Sequence, residues 1–295
     1  MKQYRSFKVL TVAVAVSLVV FLSQSAWAQQ LPVEPGSPTD PAVHAKLGLL
    51  TPANPHLPTL FLVGDSTVRN GHGDGAHGQW GWGDTIADFF DTSKINVVNR
   101  AIGGRSSRTF ITEGRWDQVL KDAKAGDFVL IQFGHNDSNA PDDPQRPRGS
   151  LHGTGEETKD IIHPQTKKPE TVHTYGWYLR KYVQSAKAKG MAPTLCSPVP
   201  RLPKETVTEP LPAPSSYPLW AEEVAKAEKV PFIDLQRLIL HRYVGLDPAE
   251  VKRRYFTPAD NTHTSRDGAV LNAEVVAEAI RTLSDIPLST YLAKR

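Results

Sequence analysis

The chain has 295 residues, with 34 basic and 31 acidic side chains and a formal charge of +3. Three cations, Lys2, Arg5 and Lys8, lie within the first 28 residues, where no acid occurs, so they account for the whole net charge. Because the rest of the chain is neutral and carries no block of Lys or Arg, its charge argues against a nucleic-acid partner.

The first predicted element is a secretory signal peptide over residues 1–28. Its cations precede an apolar stretch, 9–22, and Ala-Trp-Ala at 26–28 puts small residues where signal peptidase reads the chain. A membrane anchor is the alternative, but the apolar stretch is short for a span. We therefore expect an exported protein, periplasmic or extracellular, with no membrane association after cleavage. Residues 29–56, rich in Pro, Thr and Gly, are expected to form a tail or linker before a single domain over 57–295.

Within that domain, strand and helix patterns alternate. Apolar runs typical of buried parallel strands occupy 59–66, 95–104, 127–137, 191–200 and 230–235. Helical patterns separate or follow them at 114–124, 175–189, 217–229 and 269–283. This rhythm predicts an α/β sandwich with a parallel sheet. The exception is an insertion near 138–174, rich in Pro and charge and either functional or disordered, in which 149–155 and 158–164 are expected to pair as a hairpin.

Polar residues follow three of the predicted strands, at the edge where open parallel α/β sheets carry their sites. These residues are Gly-Asp-Ser at 64–66, Gly-Gly at 103–104 and Gly-His-Asn-Asp at 134–137. A fourth block, Asp-Asn-Thr-His at 260–263, lies just before the last helix. Each block alone is a weak signal, but their combination indicates a catalytic site.

The blocks contain the parts of a serine hydrolase. Ser66 is the candidate nucleophile, and a serine hydroxyl needs a base such as His263 to remove its proton. Asp260, three residues earlier, can fix the tautomer of that histidine and stabilise its charged form. The backbone N–H groups of Ser66 and Gly104 and the side-chain amide of Asn136 are candidate donors to an oxyanion.

In this order, the blocks resemble the SGNH (GDSL-like) hydrolase superfamily, with Ser66 in GDST, Gly104 in IGGRSSR, Asn136 in GHND and His263 in DNTH. The stretches GWGD, NRAIGGRSSRTFITEGRW, IQFGHND and TVHTYGWYLRKYV are similar to its rhamnogalacturonan acetylesterase branch, over roughly residues 59–283. The resemblance implies a flavodoxin-like three-layer sandwich whose five-stranded parallel sheet has the order 2-1-3-4-5. It also implies no metal or other cofactor, and removal of acetyl groups from pectin through an acyl-enzyme.

Several residues in or near these blocks allow both a structural and a functional interpretation. Asp65 is expected to be structural, bonding the turn backbone, rather than the acid of the triad. His72 and His77 flank Asp74, which leaves a metal site as an open alternative. Cys196 lies in an apolar run and is expected to be a small core residue rather than a nucleophile.

An acetylated polysaccharide or oligosaccharide is the expected partner, and the sequence does not predict an oligomeric state. Trp80, Trp82 and Tyr175 are candidate sugar contacts, and arginines near the site, which bind carboxylates well, could meet uronic acids. These arginines are Arg105, Arg108, Arg115, Arg146 and Arg148. Core packing or a solvated face remains the alternative for each. Other functions left open are an acetylxylan esterase, a short-chain lipase or thioesterase on the same scaffold, and a non-catalytic carbohydrate-binding protein.

Overall fold

The computed structural model describes residues 48–294, so the predicted signal peptide and most of the predicted tail lie outside the described residues. The strands are β1 (Thr59–Gly64), β2 (Asn96–Asn99), β3 (Phe128–Gln132), β4 (Thr158–Ile162), β5 (Pro169–His173), β6 (Ala192–Cys196) and β7 (Phe232–Ile233). Five of them form one parallel sheet in the order β2-β1-β3-β6-β7. Among the parallel strands alone this order is 2-1-3-4-5, which confirms the predicted topology.

Helices connect and cover these strands. The α-helices are α1 (Ser107–Thr112), α2 (Arg115–Asp122), α3 (Tyr175–Ala188), α4 (Tyr217–Glu228), α5 (Leu235–Tyr243), α6 (Pro248–Tyr255) and α7 (Arg266–Thr282). Short 3-10 helices cover Ala76–Gly78, Trp82–Asp84, Ile86–Phe89 and Pro287–Tyr291. Among residues 48–294, none of the helices is both long enough and apolar enough to span a membrane.

The sheet separates two hydrophobic cores, because successive residues of a strand point to opposite faces. On β1, Leu60 and Leu62 belong to one core, which is closed by α5, α6 and α7. Phe61 and Val63 belong to the other core, which is closed by α1, α2, α3 and α4. Because helices cover both faces of the sheet, its strands are apolar along their whole length. The molecule is therefore the expected three-layer sandwich.

Two helices that the sequence patterns did not predict, α5 and α6, begin at aspartate caps. The Asp234 carboxylate accepts a hydrogen bond from the backbone N–H of Arg237 at 3.2 Å. The Asp247 carboxylate accepts one from the N–H of Ala249 at 2.8 Å, and Pro248 stands at the first helical position. Asp as a cap and Pro at the first position are sequence signals that could have located both helices.

The insertion contains a hairpin, but its pairing differs from the predicted one. β4 pairs antiparallel with β5, whereas Leu151 of the expected first strand bridges Thr174 in parallel. The turn between the strands is closed by His163, whose ring Nδ1 accepts hydrogen bonds from the N–H groups of Gln165 and Thr166, each at 3.2 Å. The prediction for 149–155 was therefore wrong, because a turn at 163–168 brings a later segment back onto β4.

Residues 48–56, the part of the predicted tail that the structure describes, are hydrogen-bonded to the domain. The N–H of Asn54 donates to Asn96 Oδ1 at 3.0 Å, and Asn96 Nδ2 donates back to the carbonyl of Asn54 at 2.8 Å. Arg69 Nη2 donates to the carbonyl of Gly48 at 3.1 Å. Residues 48–56 therefore lie against the fold through specific backbone contacts.

Candidate active site

Ser66 lies in a tight turn at the carboxyl end of β1. The carbonyl of Asp65 accepts hydrogen bonds from the N–H groups of Val68 at 3.1 Å and Arg69 at 3.0 Å. Gly64 is needed at the end of the strand because a Cβ there would lie 2.5 Å from both the Gln132 carbonyl oxygen and Val68 Cγ2. The turn leaves Ser66 half-buried, whereas both of its neighbours in the chain are buried.

A chain of buried hydrogen bonds supports this turn from below. Asp65 Oδ1 accepts from the Thr67 N–H at 2.9 Å and from Thr67 Oγ1 at 2.8 Å. Thr67 Oγ1 accepts from Gln132 Nε2 at 2.7 Å, and Gln132 Oε1 accepts from Trp82 Nε1 at 2.9 Å. Burial raises the pKa of Asp65, but His135 at 3.4 Å and the Thr67 bonds outweigh burial and lower it. Asp65 therefore has the structural role predicted for it.

His263 lies between Ser66 and Asp260. Its Nε2 is 2.9 Å from Ser66 Oγ, and its Nδ1 is 2.7 Å from Asp260 Oδ2. The other carboxylate oxygen of Asp260 accepts from the N–H groups of Thr262 at 2.7 Å and His263 at 2.8 Å. The side chains of His263 and Asp260 are 24% and 37% accessible, so an external ligand can reach this group.

The charge on Asp260 determines the tautomer of His263. Burial raises the pKa of Asp260, but the hydrogen bonds from His263 and Thr262 outweigh burial and lower the pKa to about 2. An ionised carboxylate only accepts hydrogen bonds, so Nδ1 of His263 carries the proton and Nε2 is left to accept from the Ser66 hydroxyl. The arrangement can therefore remove the proton from Ser66.

Two cations that the sequence patterns did not single out hold the loop of this histidine. Lys252 Nζ donates to the carbonyl of Asp260 at 2.5 Å and to Asn261 Oδ1 at 3.1 Å. Arg201 Nη1 donates to the hydroxyl of Thr262. No local spacing signal identifies these cations, because both reach the loop from other elements of the fold.

The turn at residues 103–104 lies against Ser66. Gly104 has a φ of +79°, a conformation that favours glycine, and a Cβ at Gly103 would lie 3.5 Å from Ser66 Cβ. Among the hydrogen bonds within residues 48–294, none uses the backbone N–H of Ser66 or of Gly104. Asn136 reaches the same loop, since its Nδ2 donates to the carbonyl of Arg105 at 2.9 Å. These residues can present several donors to a negative oxygen beside Ser66.

A buried aspartate, Asp137, joins this loop to the insertion. Its Oδ1 accepts from the N–H of Ser107 at 3.1 Å, from Ser107 Oγ at 2.5 Å and from Ser150 Oγ at 2.9 Å. Its backbone carbonyl accepts from the N–H of Ser150 at 3.1 Å. Burial raises the pKa of Asp137 to about 6 in spite of these bonds. Its place in the Gly-His-Asn-Asp block was visible in the sequence, but its function as a tether was not.

Three of the predicted substrate contacts are corrected by the structure, because Trp82, Arg108 and Tyr175 have no accessible surface. The indole of Trp82 belongs to the buried chain of bonds under Ser66. Tyr175 Oη donates to the carbonyl of Phe133 at 3.0 Å, within the core. Arg108 lies 3.6 Å from Glu170 of β5 and donates to backbone carbonyls of the insertion, so it holds the hairpin in place.

The other two, Trp80 and Arg105, remain partly accessible near the site. The N–H of Trp80 donates to the carbonyl of Thr264 at 3.0 Å, directly after His263. Arg105 follows Gly104, and its Nε donates to Glu113 at 2.9 Å with about a third of its side chain accessible. Contact of either residue with substrate stays a prediction.

The candidate metal ligands and the candidate cysteine nucleophile lie outside this site. His72 and His77 are exposed, and among residues 48–294 no group of three His, Cys, Asp or Glu side chains is arranged to hold a metal ion. Cys196 is buried in the core at the end of β6, where burial raises the pKa of its thiol. It is the small core residue expected from the sequence.

Comparison with known proteins identifies the family. Residues 62–271 match the GDSL-like lipase/acylhydrolase family. A probable rhamnogalacturonan acetylesterase of Bacillus subtilis is 32% identical over 238 residues, which cover 80% of this chain and 97% of that protein. A rhamnogalacturonan acetylesterase of Emericella nidulans is 30% identical over 236 residues, which cover 80% of this chain and 89% of the relative.

The fold is shared with a solved structure. The crystal structure of YxiM from Bacillus subtilis matches with a TM-score of 0.60 at 24% identity. The match covers 77% of this chain and 56% of that one, so the chain spans little more than half the length of YxiM. From its matched family, its relatives and its sheet topology, the chain belongs to the GDSL-like lipase/acylhydrolase family of ester hydrolases, the SGNH hydrolases that its four motifs predict.

Proposed function

We propose that this chain is a serine esterase that removes acetyl groups from rhamnogalacturonan. One observation carries the catalytic part of the proposal: His263 Nε2 is 2.9 Å from Ser66 Oγ while its Nδ1 is 2.7 Å from Asp260. A nucleophile within hydrogen-bond reach of a base that is itself oriented by a third group is the arrangement that covalent ester hydrolysis requires.

The reaction proceeds through an acetyl-enzyme. Ser66 Oγ attacks the acetyl carbonyl carbon while its proton passes to His263 Nε2, and Asp260 stabilises the resulting imidazolium. The sugar oxygen then leaves with that proton, and acetyl remains on Ser66. Water, deprotonated by His263, attacks the acetyl-enzyme, and acetate leaves as Ser66 regains its proton.

The N–H groups of Ser66 and Gly104 and the amide of Asn136 are proposed to bind the oxyanion of both tetrahedral intermediates. Each donor of this kind contributes about 2.7–4 kcal/mol of barrier lowering in a preorganised site. Both backbone N–H groups are available as donors, because Gly104 already holds its positive φ and neither N–H is engaged elsewhere within residues 48–294.

The choice of rhamnogalacturonan is supported by the names of two relatives that align along nearly their whole length. The charged side chains beside the Gly104 loop, including Arg105 and Arg148, suit a sugar ester better than a long acyl chain. Export, inferred from the first 28 residues, would bring the enzyme to a polymer outside the cell, and it is part of the proposal.

Replacement of Ser66 tests the catalytic part. We expect Ser66→Ala to lose more than about 10³-fold of kcat for acetate release, since the step that forms the acetyl-enzyme is removed. The matched control is Ser284→Ala, which deletes an exposed hydroxyl beyond α7 and should keep wild-type rates. Circular dichroism must show that both variants are folded. Wild-type rates in folded Ser66→Ala would refute the assignment.

A substrate panel tests the polymer. Acetate release from acetylated rhamnogalacturonan should exceed release from acetylated xylan at equal acetyl concentration, and octanoyl esters should be hydrolysed slowly. Faster release from xylan would favour the acetylxylan esterase alternative. A fluorophosphonate should label wild-type protein at Ser66, whereas a carbohydrate-binding protein without an activated serine would stay unlabelled.

A further inference from the structure

A groove of about 750 Å³ begins at Gly104, beside the candidate oxyanion donors. One wall is formed by α1 and the start of α2, including Thr109 and Arg115. The opposite wall comes from the insertion, through residues 145–148 and the turn at 163–168 of the hairpin. The insertion therefore enlarges the surface that a ligand can contact. The added surface extends from the oxyanion loop in the direction away from Ser66.

The lining of this groove is cationic. It contains five cations, which are Arg105, Arg115, Arg146, Arg148 and Lys168. It contains only two carboxylates, Glu113 and Glu170, and both already have partners. Glu113 accepts from the Nε atoms of Arg105 at 2.9 Å and Arg115 at 2.5 Å, and Glu170 lies 3.6 Å from the buried guanidinium of Arg108.

Three of the five cations form no direct ion pair with an acid, although the charge of Asp143 on the same loop acts on Arg146 and Arg148. Among the ion pairs of residues 48–294, none includes Arg146, Arg148 or Lys168. Arg148 instead donates to the carbonyl of Gly104 at 3.2 Å. Burial and the nearby charges of Arg146 and Arg105 lower the pKa of Arg148, and the charges of Asp65 and Asp137 only partly oppose this shift. Like charges gathered in one groove repel each other, so this lining favours an anion that binds between them.

We propose that this groove binds the carboxylate of a uronic-acid residue in the substrate chain, close to the sugar whose acetyl group reaches Ser66. Arginine presents a planar fork of donors that matches a carboxylate, and lysine adds a point charge. The groove and the reacting centre share Gly104, so one polysaccharide chain can occupy both. This inference rests on the proposed function, and it assigns to Arg146 and Lys168 the selection of acidic over neutral polymers.

The test compares acetylated rhamnogalacturonan oligosaccharides that differ only in charge, one with free carboxylates and one with methyl-esterified carboxyl groups. The double variant Arg146→Gln/Lys168→Gln changes two exposed side chains and should fold normally. For the free-acid substrate we expect its KM for acetate release to rise about tenfold, which is typical for the loss of two partly exposed ionic contacts. For the methyl-esterified substrate its KM should change less than twofold, with kcat similar for both substrates.

The matched control is Arg253→Gln/Lys226→Gln, which removes the same charge from exposed positions on α6 and α4, outside the groove. It should keep the wild-type KM for both substrates. An unchanged KM of the groove variant on the free acid would overturn the proposal. An equal rise in KM for both substrates, or for both double variants, would also overturn it, because the effect would then not be local recognition of a carboxylate.

A binding measurement separates this inference from the esterase assignment. Calorimetry with unacetylated tetragalacturonate and wild-type protein needs no hydrolysis. We expect binding that weakens about tenfold in the groove variant and with added salt. If wild-type protein binds this ligand but releases no acetate from any polymer, the proposed function fails and the groove assignment stands. If wild-type protein does not bind it, the groove assignment fails whatever the protein hydrolyses.

Discussion

Replacing Gly104 with alanine perturbs the candidate oxyanion loop while leaving Ser66, His263 and Asp260 in place. Gly104 has a φ of +79°, where an L-residue costs about 1–2 kcal/mol. The added Cβ would also lie 3.2 Å from Arg148 Nη1, the group that donates to the carbonyl of Gly104 at the same distance. The loop must therefore either keep its conformation under strain or rotate and carry its N–H away.

The two responses have different sizes and are measured separately. Strain alone would lower the free energy of unfolding by about 1–2 kcal/mol, or the melting temperature by about 2–8 °C for a domain of this size. Loss of one oxyanion donor would lower kcat by about 10²–10³-fold. We expect Gly104→Ala to show a large loss of kcat in the acetate-release assay, together with a modest loss of stability.

Gly126→Ala is the matched control. Gly126 has a φ of +88° and precedes β3, at the end of the sheet opposite Ser66, and a Cβ there would meet no atom within 4 Å. It should lose similar stability and keep wild-type kcat. If Gly104→Ala lost stability like the control and still turned over at the wild-type rate, the N–H of Gly104 would not be a donor to the oxyanion.

Three further variants test the support of the site. Asp260→Asn should lower kcat about 10³–10⁴-fold with little change in folding, because an amide cannot stabilise the charged form of His263; near-wild-type kcat would contradict the triad. Burial raises the pKa of Asp137 to about 6, so the native state holds a proton that the unfolded state releases near pH 4, and stability falls as pH rises between these values. Asp137→Asn should remove this loss of stability, which is about 2 kcal/mol between pH 4 and pH 7 and is measured by urea unfolding at both values; the same loss in the variant would show that this carboxyl ionises normally. Trp82→Phe should cost about 2–5 kcal/mol of unfolding free energy, because it leaves a cavity and an unpaired Gln132 oxygen; a loss under 1 kcal/mol would mean that water or a neighbour replaces the indole.

The parallel sheet and the members of the reacting group could be read from the residues themselves, whereas the strand order was predicted only by the resemblance to the SGNH superfamily. Each parallel strand is a short apolar run, and a chain that alternates strands with helices has few ways to cover both faces of a sheet. Ser66, Gly104 and Asn136 follow strand ends, and the carboxyl ends of parallel strands share one edge. Local patterns therefore sufficed to bring together residues far apart in the chain.

The hairpin shows where local pattern fails. Two segments, 149–155 and 169–173, were both available to pair with β4, and pairing was decided by the turn that His163 closes. Short polar strands carry little register information, because few of their side chains enter a core. The cationic groove was equally hidden, since it exists only once that hairpin lies opposite α1.

Exposure is the property that only the tertiary structure decided. The sequence around Trp82 and Tyr175 does not show whether these side chains face a sugar or the core. Nor does it show that Arg108 is buried beside Glu170. The sequence by itself determined which backbone positions need glycine, which runs are apolar and which groups can react, because these are properties of single residues and their near neighbours. Which side chains meet solvent, and which cations are left without a direct ion pair, depends on segments that fold over them from elsewhere in the chain.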